Sequence, residues 1–398
     1  MKYPFSTLRH AGLVLTGLVS TSLLTGCGSS EPVAVSFEPN MVHAVKYQIT
    51  DDVPMEQALE DTAWILTQMF GTPDDPKLPE ALTEEFPDLI SMEHLEKASG
   101  PFADGRGLYR KHCVSCHGVT GNGRGENSGL LDPYPRDYRH GLYKFKSTKR
   151  SAKPVREDLA RSIRNGIEGT AMVKIVDLTE DDIQALVDYV IYLSIRGELE
   201  REIINDGFDA LDFESGDRIL DIELVKRIEA GQRKAVEAEI EKWEEAGKEE
   251  GQPGEKLANA LDQYDAAWGE DNYVEEFLLD IAEDWAEAED KVFDVPEPPT
   301  DIPVANNHAE FVQLQNSDQA EALAVSIERG QQVFVGAVAS CSKCHGPRGL
   351  GDGQNKDYDD WTKDWTTRVG LKPEETEALI PLMARGAMPP KNARPRNF

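Results

Sequence analysis

The pentapeptide Cys-x-x-Cys-His occurs twice, as Cys113-Val114-Ser115-Cys116-His117 and as Cys341-Ser342-Lys343-Cys344-His345. No other feature constrains the chain as much. Two thiols at this spacing, with a histidine directly after the second, form the attachment pattern for c-type haem. The thiols add across the two vinyl groups of one haem, and the histidine becomes the proximal ligand of its iron. Cys113, Cys116, Cys341 and Cys344 are therefore expected to hold two haem c groups covalently, with His117 and His345 on the irons.

The other cysteine usage agrees with that expectation. The chain has five cysteines, four of them in the two motifs, so none remains for a disulfide framework. The fifth, Cys27, follows a charged start (Lys2, Arg9, His10) and an apolar run from Ala11 to Leu24. This is the layout of a secretory signal. Such a run is shorter than the ~20 apolar residues that span a bilayer. The ending Leu24-Thr25-Gly26-Cys27 resembles a bacterial lipoprotein signal. That resemblance implies cleavage after residue 26, lipid modification of Cys27, and a mature protein tethered on the periplasmic side of the envelope. Gly28 following Cys27, in place of Asp, favours the outer membrane.

Charge is unevenly spread along the 398 residues. The whole chain carries −31, and residues 200–301 alone hold 33 acidic and 10 basic side chains, a net of −23. Apolar residues still recur there at helical spacing, first Ile219, Ile222, Leu224, Val225 and Ile228, then Leu257, Leu261, Tyr264 and Trp268. Two or three helices are expected, interrupted at Gly251-Gln252-Pro253-Gly254 and ended by Val295-Pro296-Glu297-Pro298-Pro299. The acid reads as a solvated face that keeps a tethered protein soluble. Upstream, Leu59, Ala63, Leu66 and Phe70 form a stripe on a helix from Glu56 to Phe70, which Gly71-Thr72-Pro73 should stop.

Around the first motif, Gly105, Leu108 and Tyr109 precede Cys113, and Gly118 follows His117. Downstream come Asn165-Gly166-Ile167-Glu168-Gly169-Thr170-Ala171-Met172 and the capping box Thr179-Glu180-Asp181-Asp182. Ile183, Leu186, Val187, Val190 and Leu193 then make a core-facing stripe. From Pro101 to Arg196 this pattern resembles the class I cytochromes c. The resemblance implies that Met172 is the sixth ligand of the first iron and that the helix after Thr179 closes the haem pocket. It also implies that Gly105 lets the first and last helices cross closely. Residues 131–164 carry 10 basic and 4 acidic side chains. They read either as arginine partners for haem propionates or as a surface that balances the acidic middle.

The second motif begins like the first, since Gly330-Gln331-Gln332-Val333-Phe334 repeats Gly105-Arg106-Gly107-Leu108-Tyr109, and Gly346 to Gly353 parallels Gly118 to Gly125. The ending differs. Pro395-Arg396-Asn397-Phe398 parallels Pro135-Arg136-Asp137-Tyr138, and no Gly-Thr-x-Met loop or closing helix follows. Either the sequence is truncated, or this domain is a shortened form whose sixth ligand is Met388 in Arg385-Gly386-Ala387-Met388-Pro389-Pro390, with Met383 as a second candidate. His43, His94, His112, His140 and His308 show no spacing that suggests a metal site.

The expected fold is all-α, with two class I cytochrome c domains, the second shortened at its C-terminus, joined by an acidic helical segment. The boundaries are a signal at 1–26, a partly helical segment at 27–99, the first domain at 100–198, the acidic region at 199–310 and the second domain at 318–398. The expected function is that of a one-electron carrier or respiratory-complex subunit, with redox protein partners, a membrane contact through the lipid anchor, and no nucleic acid. The alternatives are a dihaem peroxidase with an open second haem, and a haem-based gas sensor.

Overall fold

In a computed structural model, residues 36–398 are described apart from 103, 104, 249–251, 270, 271, 298, 299, 354–356, 368, 369, 394 and 396–398. Cys27 and the signal lie outside the described residues, as does most of the Pro395–Phe398 parallel. The chain is helical, and among the described residues extended backbone pairs only at isolated bridges such as Gly166 with Val173. No helix among these residues is long and apolar enough to cross a membrane.

The N-terminal part contributes α1 (Met41–Thr50), α2 (Glu56–Phe70), α3 (Glu80–Glu85) and α4 (Met92–Ala98). The first motif spans α5 (Leu108–His112) and α6 (Val114–His117), and is followed by α7 (Arg156–Asn165) and α8 (Glu180–Ala210). The acidic segment holds α9 (Ile222–Glu229), α10 (Arg233–Glu245), α11 (Pro253–Trp268) and α12 (Tyr273–Ala286). The second motif region holds α13 (His308–Gln315), α14 (Ala320–Val335), α15 (Ser342–His345), α16 (Asp360–Trp365) and α17 (Thr376–Ala384).

Helix α8 is the axis of the fold. Its start is the expected box: the Asp182 N–H donates to Thr179 Oγ1 at 3.1 Å and the Thr179 N–H donates to Asp182 Oδ2 at 2.8 Å. These bonds satisfy donors that the first turn would otherwise leave open. The helix spans 31 residues; from Ile183 to Leu199 its apolar side chains point all round it, and beyond that the stripe of Ile203 and Ile204 stays buried while Glu202 and Asp209 are exposed. A helix apolar on every side must be covered on every side. Helices α2 and α4, the turn at Tyr138–His140, α7 and α12 all pack on it. At Gly197 a Cβ would overlap the Arg139 backbone and side chain, so the 138–140 turn reaches the axis only because that residue has no side chain.

Helix α2 has the expected bounds and ends at Gly71, whose φ of 70° is the left-handed conformation glycine tolerates. Its buried residues are Ala58, Leu59, Asp61, Thr62, Ile65, Leu66 and Phe70. The stripe is thus broader than the one read from the sequence, and Ala63 stands at its edge, half-buried. The Tyr192 hydroxyl donates to the Phe70 carbonyl, and the two rings meet edge to face at 5.6 Å.

Among the described residues the acidic segment forms four α-helices beyond α8, more than the two or three expected. Pro253 begins α11 at its first position, where a missing N–H costs nothing, and Asn272 caps a further helix by accepting from the Glu275 N–H. Val274, Leu278, Ala282 and Trp285 of α12 join the same apolar core as α8. Burial of a side chain such as Leu278 stabilises by about 1.5–3 kcal/mol. This segment is therefore a packed layer with acid on its outer face.

Helix α1 packs on the second motif region. Val42 and Val45, with Ile49 beside them, pack on Trp365, Leu379, Leu382 and Ala387 in a second apolar cluster. The helix that covers α16 and α17 thus comes from some three hundred positions upstream. Placing a carboxylate there with Val45→Asp buries an unpaired charge, a class of change that costs several kcal/mol. The expected outcome is faster amide exchange and proteolysis within 360–390 with residues 156–200 unchanged, checked by hydrogen-exchange mass spectrometry. Equal protection in both segments would count against this packing.

Candidate functional site, a pair of haem-attachment motifs

The first motif sits where α5 meets α6. The His117 N–H donates to the Cys113 carbonyl at 2.8 Å, which stacks the first thiol and the imidazole on one helical face. Cys113 and Cys116 are free thiols, both half-buried. Burial, with a smaller contribution from Cys116, pushes the Cys113 thiol up to about 12. His117 is buried, and its ring stacks on Tyr138 with centroids 4.7 Å apart. Its Nδ1 lies 3.1 Å from the Arg136 carbonyl. A carbonyl only accepts, so Nδ1 carries the proton, and Nε2 is left with a lone pair. Burial also pushes the imidazole pKa down to about 4, which keeps the ring neutral. A neutral imidazole held by its far nitrogen is the form an iron requires.

A glycine-rich loop then wraps the end of α6. The Gly123 N–H donates to the His117 carbonyl at 2.9 Å and the Gly125 N–H to the Cys116 carbonyl at 3.0 Å. Gly118, Gly121 and Gly123 all have φ between 70° and 73°. The second motif repeats this geometry at a constant offset of 228 positions. The Gly351 N–H donates to the His345 carbonyl at 2.9 Å, and Gly346, Gly349 and Gly351 have φ of 77°, 72° and 69°. A Cβ at Gly353 would strike the carbonyls of Lys343 and Cys344, as one at Gly125 would strike those of Val114 and Ser115.

The two methionines stand on loops that each follow a helix. After α7, the Ile167 N–H donates to the Met172 carbonyl at 2.7 Å and the Met172 N–H to Thr170 Oγ1 at 3.1 Å, a small pinned loop that leaves Met172 half-buried. After α17, the Ala387 N–H donates to the Leu382 carbonyl at 3.0 Å, and Met388 is 8% exposed. Met383 belongs to the apolar cluster of α1, α16 and α17, and Met388 does not. The loop carrying Met388 rests on the first motif's surroundings. The Tyr134 hydroxyl donates to the Pro389 carbonyl at 2.9 Å, Lys391 Nζ lies 4.0 Å above the Tyr134 ring, and a Cβ on Gly386 would overlap the Arg124 guanidinium.

The two sites differ in cover. Tyr109, Tyr138, Leu159 and Ile163 around the first belong to the main core. At the second, Cys344 is exposed, and Val325, Ile327, Val333, Val335 and Val338 on and after α14 are 43–94% exposed. In both places the donor set fits a thioether-linked haem: free thiols at the right spacing, a following imidazole on the same turn, and apolar surface beside them. Gly105 departs from its expected role. It lies in a turn before α5, where a Cβ would meet nothing within 4 Å, so α5 and α8 meet through Tyr109 and Tyr189 instead, at 4.9 Å.

The basic stretch at 131–164 is largely paired. Arg139 lies 2.8 Å from Asp137 with both side chains buried, Arg156 pairs with Asp188, Arg164 with Glu157 and Glu180, and Lys153 with Glu198. Of the other histidines, His43 Nε2 lies 2.9 Å from Asn205 Oδ1, His94 Nδ1 lies 2.7 Å from Asp188, and His140 Nε2 lies 3.2 Å from Asp364. Among the described residues no group of His, Cys, Asp and Glu is arranged to hold a metal ion. What the motif reading missed is α1 as a cover, although Val42, Val45 and Ile49 behind the Asn40 cap make a helical stripe.

Residues 100–190 match the family model described as cytochrome C oxidase, cbb3-type, subunit III. By this match, that segment is a c-type cytochrome domain. It implies haem c and a role in electron transfer, and it spans under a quarter of the chain. No curated protein matches. Among solved structures, the Kuenenia stuttgartiensis reducing HAO-like protein complex Kustc0457/Kustc0458 aligns at 18% identity over 66% of this chain and 66% of that chain, with a TM-score of 0.30. A likeness that low carries no argument.

The buried Asp137 gives a test of the domain's frame. Burial alone would raise its pKa, but the charges of Arg139 and then His140 outweigh this and hold the carboxyl well below the usual range. Its stabilising effect is full above the unfolded value near ~4 and is lost progressively as pH falls from there through the lower folded value. Asp137→Asn leaves a buried guanidinium unpaired, which costs about 3–5 kcal/mol at neutral pH. Denaturant melts at pH 7 and pH 3 should show a smaller difference between wild type and variant at the lower pH.

Proposed function

We propose that the chain is a dihaem c-type cytochrome, anchored to the bacterial envelope through Cys27, that carries single electrons between redox proteins. The observation that carries this reading is the repeated loop: the His117 and His345 carbonyls accept from Gly123 and Gly351 at the same 2.9 Å, 228 positions apart. In this reading Cys113 and Cys116 hold one haem and Cys341 and Cys344 the other, within domains at 100–198 and 318–398. The acidic layer at 199–310 separates the two in sequence. A haem iron cycling between ferric and ferrous states supplies the one-electron chemistry.

The side chains have distinct tasks. The Arg136 carbonyl fixes the His117 tautomer and ring direction. Met172 and Met388 offer thioethers, soft donors that favour ferrous iron and raise the potential relative to two imidazoles. Met388 is favoured over Met383 because Met383 is engaged in the α1, α16 and α17 cluster while Met388 is buried outside it. Core packing at the first site excludes water, which limits rearrangement when the iron changes charge. The outer-membrane leaflet and membership of a respiratory complex belong to the same proposal.

Optical and low-temperature EPR spectra of the purified protein test the assignment. Two haems per chain with two methionine-ligand bands are expected, with almost no carbon monoxide uptake by the reduced protein. Met388→Ala should remove one band and admit carbon monoxide at one haem. Wild-type carbon monoxide binding with peroxide turnover would replace the carrier by an enzyme or sensor with an open second haem. For the anchor, Cys27→Ser should move the protein from the membrane fraction to the soluble periplasm.

A further inference from the structure

Between α1, α8, α16 and the turn at 137–140 lies a cavity of about 130 Å³ that the motifs do not explain. Three of the residues that line it carry a buried N–H with no hydrogen-bond partner: Asn40 Nδ2, Trp361 Nε1 and Trp365 Nε1. Asn40 is 2% exposed and Trp365 4%. Native interiors leave few such donors open, and several around one space call for a shared acceptor. The space would take about four waters at ~30 Å³ each, or one small oxyanion.

The charges around the cavity favour the anion. Lys46, Arg201 and Arg139 face Asp137 and Asp364, with His43 and His140 beside them. The two carboxylates are already engaged, Asp137 by Arg139 at 2.8 Å and Asp364 by His140 at 3.2 Å and Arg201 at 3.5 Å. Lys46 points its ammonium over the Tyr47 ring at 4.4 Å, and no carboxylate lies within ion-pair distance of it among the described residues. Burial, then the nearby Arg201, lowers the Lys46 ammonium to about 8, against the weaker opposing pull of Asp364, Glu202 and Asp209. His43 is lowered as well, by burial first and then by Arg201 and Lys46. A negative charge in the cavity would relieve both.

We propose that this cavity is a site for one carboxylate or small inorganic oxyanion, held by the Asn40, Trp361 and Trp365 N–H groups with Lys46 and Arg201 as countercharges. The same chemistry has two sources, a free anion or a propionate of a bound haem, and the experiment separates them. Calorimetric titration of the holoprotein with inorganic phosphate and with nitrate is the first arm. Binding that weakens about tenfold, the worth of one good hydrogen bond, in Trp365→Phe supports a free anion. The second arm is redox titration of the same variant. If added anions do not bind but Trp365→Phe shifts the midpoint potential of one haem, the occupant is a propionate, and the oxyanion site stands.

No anion binding together with unchanged potentials in Trp365→Phe overturns the proposal and leaves a water-filled cavity. Should that variant fail to fold, Lys46→Gln, at a half-buried position, carries the same two measurements. The phosphate and nitrate arm does not depend on the haem count. A loss of the dihaem reading by stoichiometry therefore remains distinguishable from a loss of this site.

Discussion

Every other part of this structure depends on covering one helix on all sides. In the middle of this 31-residue helix Leu186, Val187, Tyr189, Ile191, Tyr192 and Ile195 are buried and point all round the circumference, so that stretch has no face it can show to water, while Glu202 and Asp209 lie exposed further on. The cytochrome segment covers part of it, the N-terminal helices another part, and α12 of the acidic segment a third. The consequence is that haem-motif region and acidic region share one apolar core. Charges inside that core are paired, Asp137 with Arg139, Arg196 with Glu200 and Asp61 with Arg218. The three tyrosines 109, 189 and 192, with ring centroids 4.9 and 5.6 Å apart, join the motif's first helix to this axis.

The motifs and their immediate geometry are readable in the sequence because they follow local rules. Gly118, Gly123 and their counterparts at 346 and 351 sit where backbone must turn back onto a helix end with φ near 70°. Thr179 and Asp182 cap a helix by short-range hydrogen bonds that spacing alone predicts. The placement of α1 is not readable in that way. Val42, Val45 and Ile49 announce an amphipathic helix, but nothing local says that its partners are Trp365, Leu379 and Leu382. Gly105 differs from expectation for a related reason, since a helix crossing is a tertiary event and the residue lies in a turn before α5 begins. The middle segment has more helices than its periodicity suggests because Pro253, a breaker inside a helix, starts one when it stands at the first position.

The two attachment motifs share a loop geometry and differ in their surroundings, and that asymmetry bears on how they would work. The first is enclosed by the main core. The second has an exposed Cys344 and uncovered valines along α14, and its methionine loop is steadied by Tyr134, Lys391 and Arg124 beside the first. The Met388 loop, held by Tyr134 and Arg124 beside the first motif, links the two regions mechanically.

Peptide mass spectrometry of protein matured in a host with a c-type haem attachment system tests the central claim most directly. Peptides containing 113–117 and 341–345 should each carry one haem bound through both thiols, with colour that survives acid–acetone extraction. Unmodified thiols at 341 and 344 would contradict the dihaem account, and unmodified thiols at all four positions would end it.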